Sequence, residues 1–186
     1  MTADRTADDE RLIDLMVGYQ NGDMDCFSEL YSRLEQPLLR YLWTFVRNRS
    51  TAEDLLQETF LQLHRARHTY SPRRPVKPWI YAITRHVALM HLRSQRRRRE
   101  EIAPEELPPT PVAGEAEAIP DTATLQRILA TLPREGQEVL ILHHLLGLSF
   151  QEVGQVVGTT EGAAKVRSHR ALKKLREQTA VEGEAS

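Results

Sequence analysis

Residues 100–121 constrain the fold more than any other stretch of this sequence. They hold five of the ten prolines, Gly114 and seven acids, with no lysine or arginine and little large apolar surface. Such a segment cannot bury enough area to offset the entropy of ordering itself. Residues 97–121 therefore read as a flexible, acidic, proline-rich linker. The chain has to fold as two small pieces, 9–96 and 122–178, each with its own core.

Both pieces read as all-α, and neither holds a convincing strand pattern. Leu12, Leu15, Met16 and Tyr19 recur at helical spacing, with a stop near Gly22. Phe27, Leu30, Tyr31, Leu34, Leu38, Tyr41, Leu42 and Phe45 continue the pattern, and Pro37 inside the run predicts a kink or break. Ser50 with Glu53 fits a capping box that opens a third helix. Its apolar face is Leu55, Leu56, Phe60 and Leu63. Residues 71–75 form a loop, and Pro78 suits the first turn of a fourth helix. That helix is expected to bury Trp79 or Ile80, Ile83, Val87, Met90 and Leu92. The first piece is thus a four-helix domain.

In the second piece, Leu125, Ile128, Leu129 and Leu132 make one helical stripe. Val139, Leu140, Leu142, Leu145 and Leu146 make the next, ended by Gly147. Ser149 with Glu152 is a second capping box, opening a short helix from Phe150 to Val157 that ends at Gly158. Thr160 can cap a last helix over about 161–177. A short helix, a three-residue turn containing glycine and a longer basic helix make a helix-turn-helix. Ala164, Ser168, Ala171 and Leu175 are its expected inner face.

Net charge is −1, from 25 basic and 26 acidic residues, but the charge comes in blocks. Residues 1–35 carry nine acids against three arginines. Residues 85–99 carry six arginines and no acid, and residues 165–176 carry six bases and no acid. Two separate basic helices point to two separate surfaces for a polyanion. The acidic N-terminus is no secretory signal, no stretch is long and apolar enough to span a membrane, and one cysteine, Cys26, excludes a disulfide framework. A cytoplasmic compartment fits, with Cys26 as a small buried residue.

The motifs of both pieces resemble one family. Ala52-Glu53-Asp54-Leu55-Leu56-Gln57-Glu58-Thr59-Phe60 is similar to region 2.2 of bacterial sigma factors. Trp79-Ile80-Tyr81-Ala82-Ile83-Thr84-Arg85-His86 and the arginine tail are similar to regions 2.3 and 2.4. Leu132-Pro133-Arg134 to Leu146-Gly147 resembles region 4.1. Ser149 to Gly154 and Thr160 to Ala171 resemble region 4.2. The match runs in order over about residues 9–178, and it is to the extracytoplasmic-function class of the sigma-70 family, which has regions 2 and 4 only. Pro78 and His86 depart from the usual pattern, where a small or polar residue and an asparagine are common.

The resemblance implies a transcription initiation factor that binds core RNA polymerase and promoter DNA, usually held off by an anti-sigma factor that is often membrane-bound. It implies core-polymerase binding through region 2.2, against a coiled coil of the largest subunit. The ridge Asp54, Gln57, Glu58 and Gln62 suits basic groups on a protein helix and not DNA. For the −10 element the candidates are Trp79, Thr84, Arg85, His86, Arg93, Arg96 and Arg97, the arginines for phosphates and the ring or base-edge groups for an opened strand. For the −35 element they are Thr160, Glu161, Ala163, Lys165, Arg167 and Arg170, with Lys173 and Lys174 on phosphates.

Other chemistries find little in this sequence. It has no Gly-rich phosphate loop, no Gly-x-Ser-x-Gly and no His-Glu-x-x-His, so no enzyme, small-molecule substrate or cofactor is expected. His64 and His68 stand four apart on a helix, but no third ligand stands out and no metal site is expected. The alternatives are a stand-alone helix-turn-helix regulator and a helical adaptor whose basic segment 85–99 binds an anionic membrane.

Overall fold

The computed structural model describes residues 2–102, 129 and 131–184, with side chains for 7–100, 129 and 131–177. The linker beyond residue 102, together with Leu125 and Ile128 of the predicted stripe, lies outside the described residues. The chain divides into two compact units, Met1–Glu117 and Ala118–Ser186. Among the described residues there is no strand.

Four helices build the first unit: α1 (Thr2–Gln20), α2 (Met24–Val46), α3 (Arg49–Ala66) and α4 (Val76–Ile102). Helix α1 packs on α2 and α4, α2 on α3, and α3 on α4. The expected stripes form the core, with Leu12, Leu15, Met16, Leu30, Leu38, Tyr41, Leu42 and Leu63 almost fully buried. Gly22, at φ +94°, makes the left-handed turn after α1. The Asp23 carboxylate then caps α2, accepting from the Asp25 and Cys26 amides at 2.9 and 3.2 Å.

Three expectations for this unit need correction. Pro37 lies inside α2, which runs unbroken from Met24 to Val46. A proline removes one backbone donor, and the buried leucines on either side of Pro37 hold both halves against the same core. The cap of α3 is Asn48 and not Ser50. Arg47 takes a left-handed conformation (φ 50°), Asn48 is extended, and Asn48 Oδ1 accepts from the Thr51 amide at 2.8 Å. Glu53 meanwhile pairs with Arg49 at 2.9 Å. On α4 the buried set is Val76, Pro78, Ile80, Tyr81, Thr84, Val87 and Ala88, whereas Ile83, Trp79 and Leu92 are half-buried and Met90 is 48 % exposed.

The second unit contains α5 (Arg134–Leu140), one π turn (Ile141–Leu145), α6 (Phe150–Val157) and α7 (Glu161–Glu184). The π turn was not foreseen. Its wider repeat, seen in the Leu146 N–H donating to the Ile141 carbonyl at 3.0 Å, advances the phase of everything beyond Leu142. Leu145, expected in the core, is consequently exposed, while Ile141 is buried. The second capping box forms as expected: the Ser149 hydroxyl accepts from the Glu152 amide, and Glu152 accepts from the Ser149 amide at 2.6 Å. Gly158 ends α6 at φ +73°, and Thr160 Oγ1 accepts from the Ala163 amide at 3.2 Å to open α7.

Candidate functional site

The predicted ridge on α3 is a surface. Asp54 and Gln57 are exposed, Glu58 and Gln62 are half-buried, and Gln62 Nε2 donates to Glu58 Oε1 at 2.6 Å. The opposite face of the helix is core, through Ala52, Leu55, Leu56, Thr59, Phe60 and Leu63. Leu61, 44 % exposed, sits on the outer face beside Gln57 and Gln62. Sequence patterning leaves Leu61 out of both the apolar face and the polar ridge, because the ridge is read from its acids and amides alone. The surface is an acid-and-amide ridge with one large apolar side chain in its middle.

Helix α4 carries the predicted −10 residues, and the structure separates them. His86, Arg93, Arg96 and Arg97 are exposed, Arg85 is half-buried, and Arg96 pairs with Glu100 at 2.7 Å. Trp79 is half-buried with its ring 5.2 Å from that of Tyr70. Thr84 contradicts the expectation. It is fully buried, and its hydroxyl donates to the Ile80 carbonyl at 2.9 Å, so it presents nothing to a ligand. By helical spacing Trp79, Ala82, Ile83, His86, Met90, Arg93 and Arg97 share the outward stripe. The Arg93 guanidinium lies 4.0 Å from Met90 Sδ.

The loop leading into α4 extends the same basic surface. Ser71, Pro72, Arg73, Arg74 and Pro75 are all exposed. The loop is held from beneath: Gln20 Nε2 donates to the Arg67 and Tyr70 carbonyls at 2.6 and 3.0 Å, and the Tyr70 hydroxyl donates to the Arg74 carbonyl at 2.6 Å. Burial pushes the Tyr70 phenol up to about 12, so it remains a donor. A signal for this surface was present in the sequence. From residue 59 to residue 99 there is no acid, against eleven lysines and arginines. One of these, Lys77, is spent on structure, pairing with Asp8 and Asp9 of α1 at 2.7 and 2.8 Å. Partial burial works against its charge, but the two carboxylates outweigh that and raise its pKa.

In the second unit α7 packs Ala164, Ser168 and Ala171 inward. Thr160, Glu161, Lys165, Arg170, Lys173 and Lys174 are exposed, and Ala163 and Arg167 are half-buried at the edge of the packed face. Lys165 pairs with Glu161 at 2.6 Å, and Lys173 lies 3.8 Å from Glu177. The face opposite the core holds Gly162, Val166, His169, Arg170 and Lys173. Of these the sequence pattern had singled out only the two cations. The helix is set by a tight turn: a Cβ on Gly154 would stand 2.7 Å from the Thr159 carbonyl oxygen. His143 holds the entry to α6, its Nδ1 2.6 Å from the Leu148 carbonyl and its ring stacked on Phe150 at 3.8 Å. His144 Nε2 lies 3.3 Å from Ser168 Oγ, and burial with the neighbouring His143 lowers its pKa.

Among the described residues no group of three or more potential metal ligands forms. His64 Nδ1 instead lies 2.6 Å from the Tyr19 hydroxyl. Cys26 is half-buried, not buried, and its thiol donates to Asp23 Oδ2 at 3.3 Å, a bond that raises its pKa.

Against known proteins, residues 30–98 match the family model for Sigma-70 region 2, and residues 122–175 match that for Sigma-70, region 4. The RNA polymerase sigma factor CarQ of Myxococcus xanthus is 36 % identical over 168 residues, 87 % of this chain and 94 % of that protein. The ECF RNA polymerase sigma factor SigF of Caulobacter vibrioides is 35 % identical, covering 93 % and 96 %. Among solved structures, CnrH in complex with the cytosolic domain of CnrY has a TM-score of 0.70 at 22 % identity, over 92 % of this chain and 98 % of that one. The sigma factor RpoE of Bartonella quintana, solved with the anti-sigma factor NepR, has a TM-score of 0.69 at 20 % identity, over 83 % and 97 %. These two share the fold.

Proposed function

This chain belongs to the extracytoplasmic-function class of the sigma-70 family of RNA polymerase sigma factors, and from that premise we propose how its surfaces divide the work of promoter-specific initiation. The first unit binds core RNA polymerase through the α3 ridge of Asp54, Gln57, Glu58 and Gln62, with Leu61 buried at the centre of the contact. Its acidic and amide groups suit a basic helix on the polymerase, and a desolvated apolar anchor at the centre of an interface carries much of its affinity.

Helix α4 and the loop before it engage the −10 element. Arg85, Arg93, Arg96 and Arg97 neutralise phosphates, joined by Arg73 and Arg74. His86 and the Trp79 ring offer a base edge and a stacking face to an opened strand. Thr84 has no contact in this scheme. Helix α7 reads the −35 element from the major groove. Lys165, Arg167 and Arg170 address bases, Lys173 and Lys174 address phosphates, and Thr160, Glu161 and Ala163 form the helix entrance beside the backbone. The chain thus acts as a specificity subunit in the cytoplasm and not as an enzyme. An anti-sigma factor is its proposed inhibitor, as one is bound to RpoE in the solved neighbour. Among the described residues no helix is long and apolar enough to cross a membrane.

The observation that carries this reading is the presence, in one chain and in family order, of a basic helix on each of two separate units. The test is transcription from a supercoiled library of the host's promoters, with core polymerase alone and with the chain added. New chain-dependent transcripts sharing two upstream motifs are expected. Duplex binding by the chain alone, with no new transcript, points to the stand-alone regulator.

A further inference from the structure

Two residues on the outward face of α7 are unexplained by the fold. Gly162 sits in the first turn, its backbone is not left-handed, and a Cβ built there would meet nothing within 4 Å. Packing therefore does not demand glycine, and alanine would hold this turn better. Val166 lies one turn further along the same face and is 48 % exposed. A β-branched apolar side chain at that position serves neither helix propensity nor core. Both lie opposite Ala164, Ser168 and Ala171, among the exposed His169, Arg170 and Lys173.

Resting on the reading of α7 as the helix that enters the −35 major groove, we propose that Gly162 and Val166 form a close-approach patch that reads the 5-methyl group of a thymine. Helix-turn-helix proteins present the N-terminal part of this helix to base edges. The missing Cβ at 162 lets the first turn sink toward them. One turn on, the Val166 isopropyl group meets the one apolar group that a base pair displays in the major groove, the thymine methyl. The flanking cations set register on the phosphates and carry no sequence information there. The patch selects an A·T pair by burial, a contribution that does not depend on counterion release.

The test uses the full chain assembled with core RNA polymerase. Equilibrium binding is measured on promoter DNA in which each thymine of the −35 element is replaced in turn by deoxyuridine, which lacks only the methyl. The wild-type chain is expected to lose roughly fourfold at one position, the size of one buried methyl group. Val166→Ala loses a similar factor on thymine DNA and nothing more when that position is deoxyuridine. Val166→Thr, nearly the same shape with a hydroxyl for one methyl, behaves like Val166→Ala. Gly162→Ala raises the thermal midpoint of the second unit yet lowers affinity for the −35 element. The proposal is overturned if no deoxyuridine position separates wild type from Val166→Ala, or if Gly162→Ala binds as well as wild type. Arg170→Ala and Lys173→Ala keep the two failures apart. If they too leave the −35 element's contribution unchanged, α7 is not the reading helix and the underlying assignment has failed.

Discussion

Gly154→Ala is a small change with a large expected effect, because the obstacle it meets is backbone. The new Cβ would stand 2.7 Å from the Thr159 carbonyl oxygen, 3.3 Å from the Thr160 carbonyl carbon and 3.4 Å from the Glu161 nitrogen. The oxygen contact is about 0.7 Å shorter than ordinary van der Waals separation. No rotamer can relieve it; the start of α7 has to move away from α6. Overpacking of this kind costs about 1–3 kcal/mol. The same shift strains the bond from the Thr159 N–H to the Gly154 carbonyl, 2.9 Å in the native turn, for about 1 kcal/mol more. Alanine returns about 1 kcal/mol of helix propensity. The net expectation is a loss of about 1–3 kcal/mol in the second unit, or roughly 10 °C for a domain of this size. The assay separates the units optically. Both tryptophans, Trp43 and Trp79, lie in the first unit, so their fluorescence follows that unit alone, whereas far-ultraviolet circular dichroism follows both. The dichroism transition of the second unit should move down while the fluorescence midpoint stays put. An unchanged or higher midpoint for the second unit would refute the close-contact argument.

Asn48→Ala should cost about 1 kcal/mol of stability, read from the fluorescence midpoint in urea, whereas Ser50→Ala should fall within error; the reverse order would restore the cap expected from sequence. Hydrogen bonds from Arg11 and Arg33 hold the Glu29 carboxyl below its ordinary value of 4.5, and amide and thiol hydrogen bonds do the same for Asp23. A depressed carboxyl pKa stabilises the fold above the unfolded value and ceases to do so as pH falls through the folded one. The first unit should therefore weaken below about pH 4.5, and Glu29→Gln should show a shallower fall in urea midpoint. Thr84→Val should change promoter preference not at all, because the hydroxyl is spent on the Ile80 carbonyl, while His86→Ala should alter it at the −10 element; selection from a randomised −10 library checks both.

The fold was most legible where the deciding forces were local. The Ser149–Glu152 box, Gly158 and the Thr160 cap are short-range signals, and all three stand as the spacing predicts. The cap of α3 falls on Asn48, two residues before the Ser50 that the capping-box spacing predicts. The left-handed turn at Arg47 that selects Asn48 has no glycine to announce it. The π turn at Ile141–Leu145 could not be seen in a pattern read at 3.6 residues per turn, and it expelled Leu145 from the expected core. At the candidate surfaces, polarity misled in both directions. Thr84 flanks the predicted apolar stripe and is expected at a base edge, yet it lies in the core with its hydroxyl satisfied by the Ile80 carbonyl. Leu61, Met90 and Val166 were passed over as apolar, although each is exposed on a helix proposed to make contact. The arginines and lysines of α4 and α7 were legible because charge clusters are hard to bury.

The most direct test of the account is a footprint of promoter DNA by the holoenzyme assembled from core polymerase and this chain, with a single-strand-specific base probe in parallel. The account predicts two protected segments about two helical turns apart, with single-strand reactivity in the downstream one, and neither signal from core or chain alone. Asp54→Arg with Glu58→Lys should abolish both signals together, since both depend on docking through α3. One protected duplex segment made by the chain without polymerase, and unaffected by those two substitutions, would contradict it.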